Sequence, residues 1–237
     1  MENQLNQLIH LYLSDKPFQR LWTERIKNRD RRTPNLRIDI ADFVNGRISL
    51  DSFRNSRLAN DLPIQAWDSS NKKNSREWLL AELTTLTRYN TKTAEEALKR
   101  TLCDLNSVNI GQRIEFFHDF LTDEQQDFRR ENRRGRPMAP LNAALMISLF
   151  ASILDPTVYF CDVYLRRGLT ALWVNDMITI NPAISYDNET IEIRSYEDYQ
   201  YIKVCLDQLL QNTPKLHVGS SWAEIFTRWI IDQVKVQ

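Results

Sequence analysis

Glycine is scarce in this sequence, which holds only 5 glycines in 237 residues. So few glycines leave no glycine-rich loop for phosphate binding and few positions for tight turns, which disfavours β-sandwiches and barrels. A run of about 18 apolar residues is also missing, and the most apolar segment, 141–154, is too short to cross a bilayer. These absences favour a mainly helical globular protein with no membrane partner.

Cysteine is equally rare. Cys103, Cys161 and Cys205 are isolated and lack CxxC spacing, which predicts reduced thiols rather than disulfides or a zinc site. The N-terminus carries neither a basic leader nor a small-residue cleavage site, so we expect a cytoplasmic protein. P-loop, HExxH and GxSxG motifs are absent, and we expect no cofactor and no metal.

Apolar residues recur at helical spacing along most of the chain. Leu5, Leu8, Ile9 and Tyr12 follow the i, i+3, i+4, i+7 pattern and predict a helix over 2–13. The segment 141–154 is apolar nearly all round, which predicts a central buried helix. Further helices are predicted over 17–26, 37–44, 49–59, 75–88, 110–120 and 162–174, after Thr93, and after the capping residues Ser195 and Ser221.

The remaining segments predict one β-hairpin and a two-part organisation. Residues 178–193 alternate apolar and polar side chains around an Asp-Asn-Glu turn, which predicts a small hairpin. Residues 60–74 are rich in turn formers and predict a loop. We expect a bundle-like helical globule with an N-terminal part, 1–125, and a C-terminal part, 138–237, which could also pack as one domain. An arginine-rich loop, 126–137, would connect them.

Clustered arginines are the best functional lead. The net charge is zero, yet five arginines fall within eight residues in the connecting loop. A guanidinium group binds phosphate oxygens in a bidentate fashion, so such clusters are typical of nucleic-acid contacts. The alternative is an ordinary solvated loop. The candidate contacts form three groups: Arg29, Arg31, Arg32 and Arg37; Arg129, Arg130, Arg133, Arg134 and Arg136; and Arg166 with Arg167.

Two other functions remain open. Trp222, Phe226 and Trp229 on the closing helix could present an apolar face to a protein partner, as in a scaffold subunit. Glu115, His118 and Asp119 share one helix face at a spacing that could hold a metal, as in a hydrolase or nuclease. The alternative for these three is a solvated helix surface.

The C-terminal 90 or so residues resemble a family of bacterial helical domains. The pattern comprises Ser148-Leu149, Leu154-Asp155-Pro156, Val158-Tyr159-Phe160, Asp162 to Leu169, Tyr196 with Tyr199, and Ser221 to Trp229. This segment resembles a domain found alone in bacteria and in the N-terminal regions of McrB-type restriction and phage-defence proteins. Leu149 stands where the family has a lysine. The resemblance implies a DNA- or RNA-binding specificity module of a defence system, with an NTPase or nuclease on another chain.

Overall fold

The computed structural model describes residues 2–55, 76–87, 91–158, 163–179, 186–187, 190–213, 216 and 221–234, and the statements below concern these residues. They form α1 (Glu2–Ser14), α2 (Lys16–Val44), α3 (Leu50–Asn55), α4 (Arg76–Leu86), α5 (Thr91–Leu102), α6 (Ile110–Arg130), α7 (Asn142–Leu154), α8 (Val163–Val174), β1 (Tyr186–Asp187), β2 (Thr190–Ile191), α9 (Tyr196–Asn212) and α10 (Trp222–Gln233). The predicted mainly α architecture is confirmed. No helix in these ranges has both the length and the apolarity needed to cross a membrane. The predicted loop 60–74 lies outside the described residues.

The helix α2 departs most from its prediction. It is one helix of 29 residues, and it continues through Pro34, where the charged sequence predicted a break. An interior proline costs a helix roughly 3 kcal/mol. Three apolar residues beyond it, Leu36, Ile40 and Phe43, are buried. Burying each such side chain contributes about 1.5–3 kcal/mol, so core packing holds the helix together past the proline.

The helix α7 lies at the centre of the molecule, as its all-round apolar sequence predicts. Ten of its thirteen residues are buried, and α2, α4, α5 and α6 pack around it. A single hydrophobic core extends from Ile9 in α1 to Ile230 in α10. The two predicted parts, 1–125 and 138–237, therefore share one core.

The helices α8 and α10 cross closely because a glycine lies at their contact. A Cβ atom on Gly168 would fall 2.5 Å from Cβ of Thr227 and 2.8 Å from its carbonyl oxygen. The sequence around Gly168 predicted the helix α8, but its close approach to α10 could not be read from that segment alone.

The strand pairing next to α8 is smaller than the predicted hairpin over 178–193. Tyr186 pairs with Ile191 and Asp187 with Thr190, in antiparallel register. Residues 178–179 and 192–193 lie outside any strand, and residues 180–185 and 188–189 are not among the described residues. The structure does not confirm a hairpin of the predicted length. Thr190–Ile191 is nevertheless attached to α8, because Ile191 N donates to Oγ1 of Thr170 at 3.0 Å.

Candidate nucleic-acid interface

The arginine-rich segment begins as a helix and not as a loop. The helix α6 extends to Arg130, ten residues beyond its predicted end, and its last turn holds Arg129 and Arg130. The helix ends in a Schellman motif with Asn132 in the left-handed region at φ 52°. Arg133 N donates to Phe128 O and Asn132 N to Arg129 O, both at 3.1 Å. We refer to residues 129–136 as the arginine turn.

Two arginines of this turn are bonded to α4 and anchor the turn there. The Arg133 side chain, 10% exposed, donates from Nη1 to the carbonyl oxygen of Leu86 at 2.9 Å and from Nε to Glu131 at 2.8 Å. Nε of Arg136 lies 2.7 Å from Oε1 of Glu82, whose side chain is 6% exposed. Arg133 is bonded to the last turn of α4, where helical carbonyl groups lack intrahelical donors. These two arginines therefore have structural roles.

The backbone of the turn is held against the same helix. Met138 N donates to the carbonyl oxygen of Glu82 at 3.1 Å. Gly135 has φ of 121°, and a Cβ atom there would lie 2.7 Å from Cγ2 of Thr85. The segment that was predicted to be a connecting loop is thus an anchored turn on the surface of α4.

The other three arginines of the turn are exposed, like Arg136, but are not bonded to α4. Arg130 is paired with Asp127 at 2.8 Å but keeps 74% of its side chain exposed. Arg129 and Arg134 are exposed and make no hydrogen bond or ion pair within the described part of the chain. Exposed cations beside a helix C-terminus are also favoured by the helix dipole. The turn therefore presents three guanidinium groups to solvent on a fixed backbone.

Carboxylates lie among these arginines, and the two kinds of group change each other's pKa values. The hydrogen bond from Arg133 lowers the pKa of Glu131, and the same bond raises the pKa of Arg133. Burial raises the pKa of Glu124, the positive charge of Arg133 lowers it, and the negative charge of Asp127 raises it again. Among the described residues, Arg129 and Arg134 are the arginines of the turn without a carboxylate partner, whereas Arg130 is paired with Asp127.

Arg37, a member of the predicted arginine group on α2, does not lie beside the arginine turn. Nε of Arg37 donates to the carbonyl oxygen of Ile153 at 2.7 Å, at the C-terminal end of α7. The arginine turn leads into the N-terminal end of α7 at Asn142. The two ends are about 17 Å apart along the axis of a thirteen-residue helix, at 1.5 Å per residue. Arg37 thus has a structural role in bonding the end of α7.

The remaining predicted arginines differ in how exposed they are. Arg31 is exposed on α2 but already has an interaction, and the side chains of Arg29 and Arg32 lie outside the described residues. Arg167 is exposed on α8, whereas Arg166 is only 7% exposed. The burial of Arg166 does not support the prediction that it contacts nucleic acid.

The predicted apolar face for a protein partner is also wrong. Trp222, Phe226 and Trp229 are 1%, 0% and 3% exposed. Tyr12 of α1 packs edge-on against the last two rings, with centroid distances of 5.2 Å to Phe226 and 5.6 Å to Trp229. Their spacing of four and three residues along α10 places all three on the same side of that helix, within the core. Helical periodicity alone does not distinguish such a face from an exposed one.

The three residues of the alternative metal-binding hypothesis, Glu115, His118 and Asp119, lie on α6. His118 and Asp119 approach each other to 3.5 Å, and an oxygen of Glu115 accepts from Tyr196 N at 3.4 Å. Within the described ranges, no group of three or more histidine, cysteine, aspartate or glutamate side chains is arranged to hold a metal ion. Glu115 instead contacts the first residue of α9.

The residue that sequence reasoning missed at this site is Glu82. It pairs with Arg136 through its side chain and with Met138 through its carbonyl oxygen, and so joins α4 to the arginine turn. It occupies a buried position on an otherwise apolar helix face, between Leu79, Leu80 and Leu83. An acidic residue within such a face is a sequence signal for a partner of opposite charge, although it does not identify that partner.

Comparisons of the chain with protein-family models, curated proteins and solved structures gave no match.

Proposed function

We propose that this protein is a non-catalytic nucleic-acid-binding module and that the arginine turn contacts the phosphate backbone. The observation that carries the proposal is the division of the turn into two sets of side chains. Arg133 and Arg136 are bonded to α4, while Arg129, Arg130 and Arg134 face solvent.

Anchoring favours binding for an entropic reason. A flexible loop loses conformational freedom when it binds, and that loss reduces affinity. Here the Schellman motif at Asn132 and the contact of Gly135 with α4 hold the backbone before any ligand arrives. The outward guanidinium groups need to order only their own side chains. Each phosphate that they neutralise releases condensed counterions, which makes the affinity depend on salt.

Further parts of the proposal are carried by fewer observations. Arg167 and the α2 residues Arg29, Arg31 and Arg32 remain proposed secondary contacts. The resemblance to helical domains of restriction and phage-defence proteins supports a role beside an NTPase or nuclease subunit. DNA and RNA both present phosphate groups that a guanidinium group can bind. The arginine turn therefore implies a contact with the nucleic-acid backbone and no preference for DNA or RNA.

A salt titration with two matched variants tests the proposal. Binding of labelled duplex DNA and of labelled single-stranded RNA is measured by fluorescence anisotropy across a range of salt concentrations. The first variant combines Arg129→Ala, Arg130→Ala and Arg134→Ala. The second combines Arg20→Ala, Arg47→Ala and Lys92→Ala, which removes the same charge from other exposed sites.

We expect the first variant alone to lose affinity. For duplex DNA the slope of log affinity against log salt should fall in magnitude by about 0.9 for each phosphate contact removed. The proposal is overturned if the unmodified protein binds neither polymer at low salt. Equal losses in the two variants would also overturn it, because they would reflect net charge and not this turn.

A further inference from the structure

One cavity is lined by residues that do not include the arginine turn. It has a volume of about 330 Å³ and opens between the N-terminal turns of α1, the C-terminal half of α9 and residues 177–179. Cavities that bind small molecules commonly start at about 300 Å³. The volume therefore suits a small organic molecule, and its lining determines which kind.

The inner surface of this cavity is apolar. Leu209 and Cys205 are 2% and 4% exposed, and Leu5 and Met177 line the same space while packing against the core. Burial raises the pKa of the Cys205 thiol to about 11, so it is neutral at physiological pH. This part of the cavity favours an apolar molecular body.

The outer rim carries carboxamide groups. Asn6, Gln208 and Asn212 line the cavity, are exposed, and make no side-chain hydrogen bond to other described residues. Each amide both donates and accepts hydrogen bonds. By contrast, the hydroxyl group of Thr213, which also lines the cavity, is already bonded to the carbonyl oxygen of Leu209. The rim thus offers three available amides around an apolar interior.

Charge is missing from this lining. None of the described residues around the cavity is acidic or basic. An ionised ligand would lose its hydration there without gaining an ion partner from these residues. A neutral ligand would lose much less hydration free energy on entering. The described lining therefore offers no ion partner to a charged ligand.

We propose that this cavity is a binding site for a small uncharged molecule with an apolar body and an edge that both donates and accepts hydrogen bonds, such as a carboxamide or a neutral nitrogen heterocycle. The site is separate from the arginine turn and does not depend on the function proposed for it. The cavity would take an uncharged ligand, whereas the arginine turn is proposed to bind anionic phosphates.

Protection of Cys205 from alkylation provides a direct test. Changing Cys103→Ser and Cys161→Ser leaves Cys205 as the only cysteine of the sequence. Its reaction with N-ethylmaleimide is followed by mass spectrometry with three pairs of probes that differ in charge: nicotinamide and nicotinate, benzamide and benzoate, adenosine and adenosine monophosphate.

We expect at least one neutral probe to slow alkylation while its charged counterpart does not. A probe at a concentration of twice its dissociation constant would slow the alkylation of Cys205 about threefold. The proposal is overturned if none of the neutral probes protects Cys205, or if the charged members protect it equally well.

A matched pair of glutamines locates the effect. Gln208 and Gln211 are both exposed near the C-terminal end of α9, but only Gln208 lines the cavity. Gln208→Leu removes one hydrogen bond to the ligand, so we expect the affinity of the protecting probe to fall by roughly threefold to tenfold. Gln211→Leu should leave its affinity unchanged. An equal effect of both variants would contradict binding in this cavity.

Discussion

Trp229 and Asp15 are joined by a hydrogen bond across 214 residues of sequence. The indole Nε1 of Trp229 donates to Oδ2 of Asp15 at 3.1 Å. The other oxygen of the same carboxylate accepts from Phe18 N at 3.1 Å and caps the N-terminus of α2. One carboxylate therefore both begins the longest helix and holds α10 against it.

Removing this donor should destabilise the protein. Trp229→Phe keeps an aromatic ring in the core but removes the N–H group, and we expect the free energy of unfolding to fall by about 1.5–3 kcal/mol, as for bonds to charged acceptors. A double-mutant cycle with Asp15→Ala, measured by urea denaturation, separates this bond from the loss of the cap and of ring contacts. A coupling energy near zero would contradict a direct interaction.

The two sets of arginines in the turn should differ in their effect on stability. Arg136→Ala leaves the buried carboxylate of Glu82 without that partner, and we expect a loss of about 1–3 kcal/mol, less than for a fully buried pair because Arg136 is 64% exposed. Arg134→Ala, at an exposed position in the same turn, should change stability by less than about 0.5 kcal/mol. Urea denaturation of the two variants measures both effects, and equal losses would contradict the division into anchoring and outward arginines.

Gly168 should not tolerate even one added methyl group. In Gly168→Ala the new Cβ atom would meet the backbone of Thr227 at 2.8–2.9 Å, so α8 and α10 must move apart. We expect a loss of about 1–3 kcal/mol, despite the higher helix propensity of alanine. The control is Arg167→Ala, which places alanine at the adjacent exposed position and should be nearly neutral. Thermal unfolding followed by circular dichroism compares the two, and an unchanged Gly168→Ala protein would contradict the close crossing.

Asp155 should make stability depend on pH in the acid range. Burial raises the pKa of Asp155, but hydrogen bonds from Thr157 and Ser107 N outweigh burial and lower it from 3.8 to about 2. Because the folded-state pKa is the lower one, this contribution to stability is fully present above about pH 4 and is lost as the pH falls towards 2.

A comparison with Asp155→Asn measures this contribution. The unmodified protein should exceed the variant in unfolding free energy by about 2 kcal/mol at neutral pH, and the difference should shrink between pH 4 and pH 2. Asp119→Asn, an exposed aspartate, serves as the control. A difference that stays constant down to pH 2 would show that the hydrogen bonds to Asp155 do not favour its ionised form.

Local sequence determined the elements whose stabilising contacts lie within a few residues. The capping box of Ser195 and Asp198 forms with both of its reciprocal bonds, because both partners belong to the same helix turn. The same pattern at Ser221 makes no side-chain cap, because Ser221 has φ −93° and ψ 5° and not the extended backbone of an N-cap residue. Thr93 does not cap α5 either, because that helix already begins at Thr91.

The sequence by itself determined that the protein is helical, that α7 is central, and that arginines cluster before it, since periodicity and composition are local properties. Tertiary structure alone decided that α2 continues through Pro34 and that the closing aromatic residues face inward. It also decided which arginines are bonded to α4 and which are not, because Leu86 and Glu82, the partners of Arg133 and Arg136, lie about fifty residues earlier in the chain. Contacts at that separation depend on how the helices pack, and packing is set by the whole core and not by any one segment.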